Sequence, residues 1–139
     1  MHLKTLIILG SFTLIVAGWI FLSRSMRLGY VDSAIGSMRT LVAAETKYAQ
    51  AHPGVGYTCS MSALPSDGLT AGLVRNGTRN EYAFEIAGCE AKRPNAKYQL
   101  TARPLLKEMP GYCSDQSGIV KYDESGSLQK CLESGVPIG

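Results

Sequence analysis

Hydrophobic and polar positions change period twice along the chain. Residues 5–22 (TLIILGSFTLIVAGWIFL) form an unbroken run without a charge. As a helix at 1.5 Å per residue, these 18 residues would be about 27 Å long, close to the roughly 30 Å hydrocarbon core of a bilayer, which predicts a transmembrane helix. After the boundary Ser23-Arg24-Ser25-Met26-Arg27, Val31, Ala34, Met38, Leu41, Val42, Tyr48 and Ala49 recur at three- and four-residue spacing. That spacing predicts an amphipathic helix continuing the first one. Gly29 and Gly36 interrupt it as candidate bend points, and His52-Pro53-Gly54 ends it, because proline lacks a donor and glycine tolerates positive φ. Glu45 lies on or beside the apolar stripe. The length of its side chain favours a carboxylate that reaches solvent, the alternative being a bond to the backbone of a packed loop.

Residues 54–80 alternate Gly, Ser, Asp, Asn and Thr with short apolar pairs, which predicts a loop with one helical turn at 60–64. Asn76-Gly77-Thr78 matches a glycosylation sequon but reads better as a turn. From residue 81 the period is two. Tyr82, Phe84 and Ile86 alternate with polar neighbours, as do Tyr98, Leu100 and Ala102, giving two antiparallel strands with one wet face. Two further strands are predicted at 111–114 and 119–122, joined by Asp115-Gln116-Ser117-Gly118, and Asp123-Glu124-Ser125-Gly126 turns the chain again towards Leu128 and Cys131. The fold class that follows is α+β: a long N-terminal helix, transmembrane then amphipathic, whose stripe covers a four-stranded antiparallel sheet. Residues 1–29 are the anchor and its boundary, and residues 30–139 one globular domain.

Charge sharpens that division. Lys4, Arg24 and Arg27 flank the apolar run, while the other 11 Lys/Arg are balanced by 11 Asp/Glu, all after Tyr30. The net +3 therefore belongs to the anchor. A neutral domain without a basic cluster gives no electrostatic footprint for nucleic acid.

The four cysteines, Cys59, Cys89, Cys113 and Cys131, lie beyond the apolar run. An even number in a small domain of this kind predicts two disulfides in an oxidising compartment. The turns between Cys113 and Cys131 favour that pair, leaving Cys59 with Cys89. No C-x-x-C spacing occurs, and His2 and His52 are the only histidines, so neither a metal site nor a cofactor is expected. The length of the apolar run and the lack of an A-x-A-like site after it favour a retained signal-anchor over a cleaved signal peptide. With the cysteines outside, the N-terminus faces the cytoplasm: a single-pass inner-membrane protein with its domain in the periplasm or on the cell surface.

These residues carry a resemblance. The order of apolar helix, amphipathic helix, loop, antiparallel sheet and cysteine-bounded end resembles a bacterial type IV pilin or type II secretion pseudopilin. So do the local stretches Ser33-Ala34-Ile35-Gly36-Ser37-Met38-Arg39-Thr40, Ala44-Glu45-Thr46-Lys47-Tyr48, Val55-Gly56-Tyr57 and Ser114-Asp115-Gln116-Ser117-Gly118-Ile119-Val120-Lys121-Tyr122. Gly10-Ser11-Phe12-Thr13-Leu14-Ile15 is similar to the prepilin cleavage segment, which implies a cut after Gly10. Val16 stands where that family has a glutamate, and the mostly apolar residues before Gly10, where a prepilin leader is usually polar and basic, favour an uncut anchor. The resemblance implies a non-catalytic structural or accessory subunit of a pilus or secretion filament, partnered by the membrane and by other pilin-like subunits or itself. Small residues at Gly10, Ser11 and Gly18 are the expected points of close helix packing.

Enzymatic chemistry has no constellation here. Cys113-Ser114-Asp115 contains nucleophile-type residues without a partner histidine, and residues 68–77 match no phosphate-binding glycine pattern. The competing reading is a membrane-tethered extracytoplasmic binding module outside any filament, meeting a ligand through its tyrosine-bearing edge or the 54–80 loop.

Overall fold

A computed structural model describes residues 2–65 and 68–139, with side chains described from residue 15 onward except that of residue 69. Its first element, α1 (His2–Ala51), is a single helix of 50 residues, about 75 Å at 1.5 Å per residue. It runs through Gly29 and Gly36 without interruption. From Ala34 onward one face is buried: Ala34, Ser37, Met38, Leu41, Ala44 and Glu45 point into the domain. That stripe at three- and four-residue steps is what fixes the helix on the sheet.

The sheet has six antiparallel strands in chain order, not four. They are β1 (Thr78–Arg79), β2 (Tyr82–Ala87), β3 (Gln99–Pro104), β4 (Gly111–Asp115), β5 (Lys121–Asp123) and β6 (Val136–Pro137). Two-residue strands are too short to express an alternating period, so β1 and β6 leave no trace in the hydrophobic pattern. On the face towards α1, Tyr82, Phe84, Ile86, Leu100, Ala102 and Tyr112 build the core with Met38 and Leu41. Tyr82 donates its hydroxyl to the Pro110 carbonyl at 3.0 Å, which satisfies the polar end of a ring that is otherwise fully buried.

The opposite face is covered around β4 by α3 (Leu128–Ser134), a helix absent from the predicted strand order. Strand β4 is therefore buried on both sides, from Gly111 to Ser114. Cys113 and Cys131 are fully buried and bonded, joining β4 to α3 with Cα atoms 5.9 Å apart. Cys59 and Cys89 are bonded with the same Cα separation of 5.9 Å. They tie the segment after α1 to the end of β2.

Residues 54–80 are not one loop. A short 3-10 turn (Met61–Ala63) is followed by α2 (Leu69–Asn76), which buries Thr70 and Leu73 against α1. Gly77 ends α2 in the left-handed region, φ 64°, donating its N–H to the Leu73 carbonyl. The turn expected at Asn76-Gly77-Thr78 is thus a helix C-cap leading into β1.

Among the described residues no helix is long and apolar enough to cross a membrane. Of the 5–22 run expected to span one, side chains are described only from Ile15 to Leu22, and that length is about 12 Å as a helix. The transmembrane expectation is accordingly not carried by the described part of α1.

Candidate functional site: the uncovered length of α1

What the domain does not cover is as informative as what it does. Ile15, Val16, Trp19, Ile20, Phe21, Leu22, Met26 and Leu28 are all exposed, with Trp19 and Phe21 at 74% and 75%. These residues lie on every side of the helix, since consecutive positions from Trp19 to Leu22 are apolar and each turns by about 100°. Burial begins at Tyr30 and becomes complete at Ala34. A helix that is apolar all round needs cover from lipid or protein, and none of the described residues supplies it there.

The junction is held by a small polar belt. Arg27 Nη1 lies 3.6 Å from Glu108 Oε2, linking α1 to the β3–β4 connection, with both groups largely solvated. Such a pair contributes at most about 1 kcal/mol. Its value is geometric, because it sets Glu108 at the level of Arg27 on the helix. Hollows on either side share Glu108 as a wall: one runs from Val16 past Trp19 to Arg27, the other from Val31 and Ile35 to Tyr112, Tyr122, Glu124 and Ile138. The second hollow, of about 470 Å³, is mainly apolar with carboxylates on its rim.

Glu45 corrects the solvent-reaching assignment. It is fully buried, and its Oε2 accepts the Thr58 backbone N–H at 3.0 Å. Oε1 has no hydrogen-bonding partner among the described residues. Burial raises this carboxyl to about 7, against the lowering effect of the Thr58 hydrogen bond. The packed-loop alternative is the one that the structure adopts, and the signal for it was the position of Glu45 on the buried stripe.

Of the residues singled out from sequence, Gly18 lies in the uncovered part of α1 with nothing within 4 Å of where a Cβ would sit. Gly10 and Ser11, the expected packing and cleavage positions, lie outside the residues whose side chains are described. Val16, which the resemblance sets against a glutamate, is exposed at 42%. His52 stacks on Tyr48, ring centroids 4.3 Å apart, with Nδ1 2.9 Å from the Tyr48 carbonyl at the end of α1. Among the described residues no three His, Cys, Asp or Glu converge in a way that could hold a metal ion. The 3.0 Å bond from Asn95 Nδ2 to the Tyr57 carbonyl pins the segment after α1 to the β2–β3 connection, so the expected ligand loop is partly built into the domain. Its role was missed because an asparagine in a polar stretch looks like any turn residue. Comparison with known proteins finds no matching family model, no matching curated protein and no matching solved structure.

Proposed function

We propose that this chain is a non-catalytic, pilin-like structural or accessory subunit of a bacterial type IV pilus or type II secretion filament. In this reading residues 5–22 sit in the inner membrane or in the apolar interior of an assembly, and the disulfide-tied domain is displayed outside. One observation carries it: α1 passes from an uncovered, all-round apolar length into the domain core as one uninterrupted helix. A merely tethered binding module would more often have a flexible Gly/Ser- or Pro-rich spacer between anchor and domain. Here one continuous helix leads from the uncovered length into the domain, an arrangement suited to transmit position from neighbour to neighbour. Two disulfides support an oxidising compartment for the domain.

Val16 brings no carboxylate into the apolar helix, so assembly through this segment would rest on neutral packing rather than on an internal ion pair. The test is site-specific photo-crosslinking from Phe21 in the full-length chain in bacterial membranes. Adducts with a second copy or with another pilin-like protein are expected. Adducts with lipid alone, with the domain's location and fold unchanged, would remove the filament reading.

A further inference from the structure

We infer that the hollow between α1 and the β4–β5 hairpin is the seat for the uncovered α1 segment of a second copy of this chain, with Arg24 of that copy facing Glu124. The inference rests on the self-assembling reading above and specifies its contact. The walls of the hollow are apolar: Val31 and Ile35 from α1, Tyr112 and Tyr122 from the sheet, and Ile138. Its rim is acidic. Glu108 and Glu124 line it, and Asp32 lies close enough to push the Tyr112 hydroxyl up after burial itself. Arg27 answers Glu108 within the chain, while Glu124 and Asp32 make no ion pair among the described residues.

The uncovered helix carries the complementary pattern. Ala17, Phe21, Arg24 and Leu28 follow at spacings of four, three and four, so they form one face, and Phe21 and Leu28 are exposed at 75% and 66%. Arg24 makes no ion pair among the described residues. A lone cation between two apolar side chains fits an apolar hollow with a carboxylate rim better than it fits lipid tails. It also gives the hollow a reason to prefer this helix over an anionic membrane surface, which the acidic rim would repel.

The axial geometry is compatible. Glu124 shares its hollow with Val31 and Ile35, which are seven and eleven residues beyond Arg24 on α1. A second copy displaced outward by roughly 10–16 Å therefore brings its Arg24 level with Glu124, and its Phe21 against Val31 and Tyr112. Because the same surface is offered by every copy and the relation is a translation along the helix rather than a two-fold, the contact is heterologous and propagates.

The experiment places p-benzoylphenylalanine at Tyr122, and separately at Ile138, in the full-length chain in membranes, with Phe21 probed in parallel. The expected result is a dimer whose adduct maps to residues 17–28 of the second copy. Glu124→Arg should reduce its yield at least tenfold, and Arg24→Glu in the same chain should restore it. Non-reducing mobility reports that both disulfides, and hence the domain, are intact in each variant. If the Phe21 probe yields dimers while neither hollow probe does, self-assembly stands and the hollow is not its seat. If no probe yields a dimer, the inference falls, and the filament reading falls with it only where the Phe21 probe also gives no adduct with another pilin-like protein. Adducts of the hollow probes with lipid or with a different protein, or a yield indifferent to Glu124→Arg, overturn the inference.

Discussion

Glu45 Oε2 accepts the Thr58 N–H at 3.0 Å, and the second oxygen of the same fully buried carboxyl has no partner among the described residues. The bond joins the middle of α1 to the segment that carries Cys59, while the bare oxygen makes ionisation expensive.

A stability profile falling with pH follows from that arrangement. Folding raises the Glu45 carboxyl from an ordinary 4.5 to about 7, so the folded chain holds a proton that the unfolded chain has released. The stabilising contribution is complete below pH 4.5 and is lost as pH rises to about 7. The difference corresponds to roughly 3 kcal/mol. Asp115 and Asp123, whose carboxyls are lowered, act in the opposite sense and on the acid side of this window. Urea unfolding at pH 5 and pH 7.5 should show the loss in the wild type. Glu45→Gln should flatten it, because the amide keeps the shape without the charge. An equal slope in both proteins would show that Glu45 is not the titrating group.

The two disulfides should differ in importance, in the order opposite to their loop lengths. The chain-entropy model favours the 30-residue closure of Cys59–Cys89 over the 18-residue closure of Cys113–Cys131 by only about 0.5 kcal/mol. Both sulfurs of the second pair belong to fully buried residues between β4 and α3, so replacing them also empties packed space. Cys113→Ala/Cys131→Ala is expected to cost more than Cys59→Ala/Cys89→Ala, by about 1–2 kcal/mol after the entropy difference is offset. Thermal denaturation of the two double variants, compared in one buffer, decides the order.

What could be read in advance was whatever repeats over several turns or pleats. The α1 stripe and the alternation in β2 and β3 each extend over enough residues to define a face, and they yield the helix-on-sheet plan. The hairpin joining β1 to β2 escaped because Asn80 and Glu81 both adopt positive φ, and Asn-Glu does not announce such a turn as Asn-Gly would. Helix α2 escaped because its eight residues include glycine and threonine and bury a single short stripe. The outward side of Phe21, Arg24 and Leu28 could be listed from the sequence, but not the acidic hollow, whose walls come from residues as distant as Val31 and Ile138. A surface assembled across the fold has no local period.

Ser127 is the start signal that announces α3. Its hydroxyl accepts the Lys130 N–H at 3.3 Å, and its own N–H is bonded to Asp123 Oδ1 at 3.3 Å. Because α3 is only seven residues long and covers β4, one lost cap is a large share of what holds it. Ser127→Ala should destabilise the domain by about 1 kcal/mol, and Ser127→Asp should retain most of the stability. Hydrogen exchange at Cys131 and Leu132 provides the local reading: unchanged protection in Ser127→Ala would mean that the disulfide, not the cap, sets the helix.

Asn95 is buried and makes five hydrogen bonds. Its backbone N–H donates to the Val55 carbonyl at 2.8 Å, and its carbonyl accepts from Tyr57 at 3.0 Å. Its side chain donates to the Tyr57 carbonyl and accepts the N–H groups of Glu90 and Lys97. Gly56 lies between the two bonded residues at φ 79°, and a Cβ there would stand 2.6 Å from the Asn95 backbone nitrogen. Both backbones must therefore approach at this point, and only glycine permits it. Asn95→Ala removes the partner of three backbone groups in a half-buried site and should cost about 1–3 kcal/mol. Gly56→Ala should cost a similar amount through strain and displacement. Since each change disrupts the same junction, the double variant should be less destabilised than the sum of the singles, by at least about 1 kcal/mol. Urea unfolding of the four proteins closes the cycle. Strict additivity, or a loss under about 0.5 kcal/mol in either single variant, would show that the Cys59–Cys89 bond alone holds this segment to the sheet.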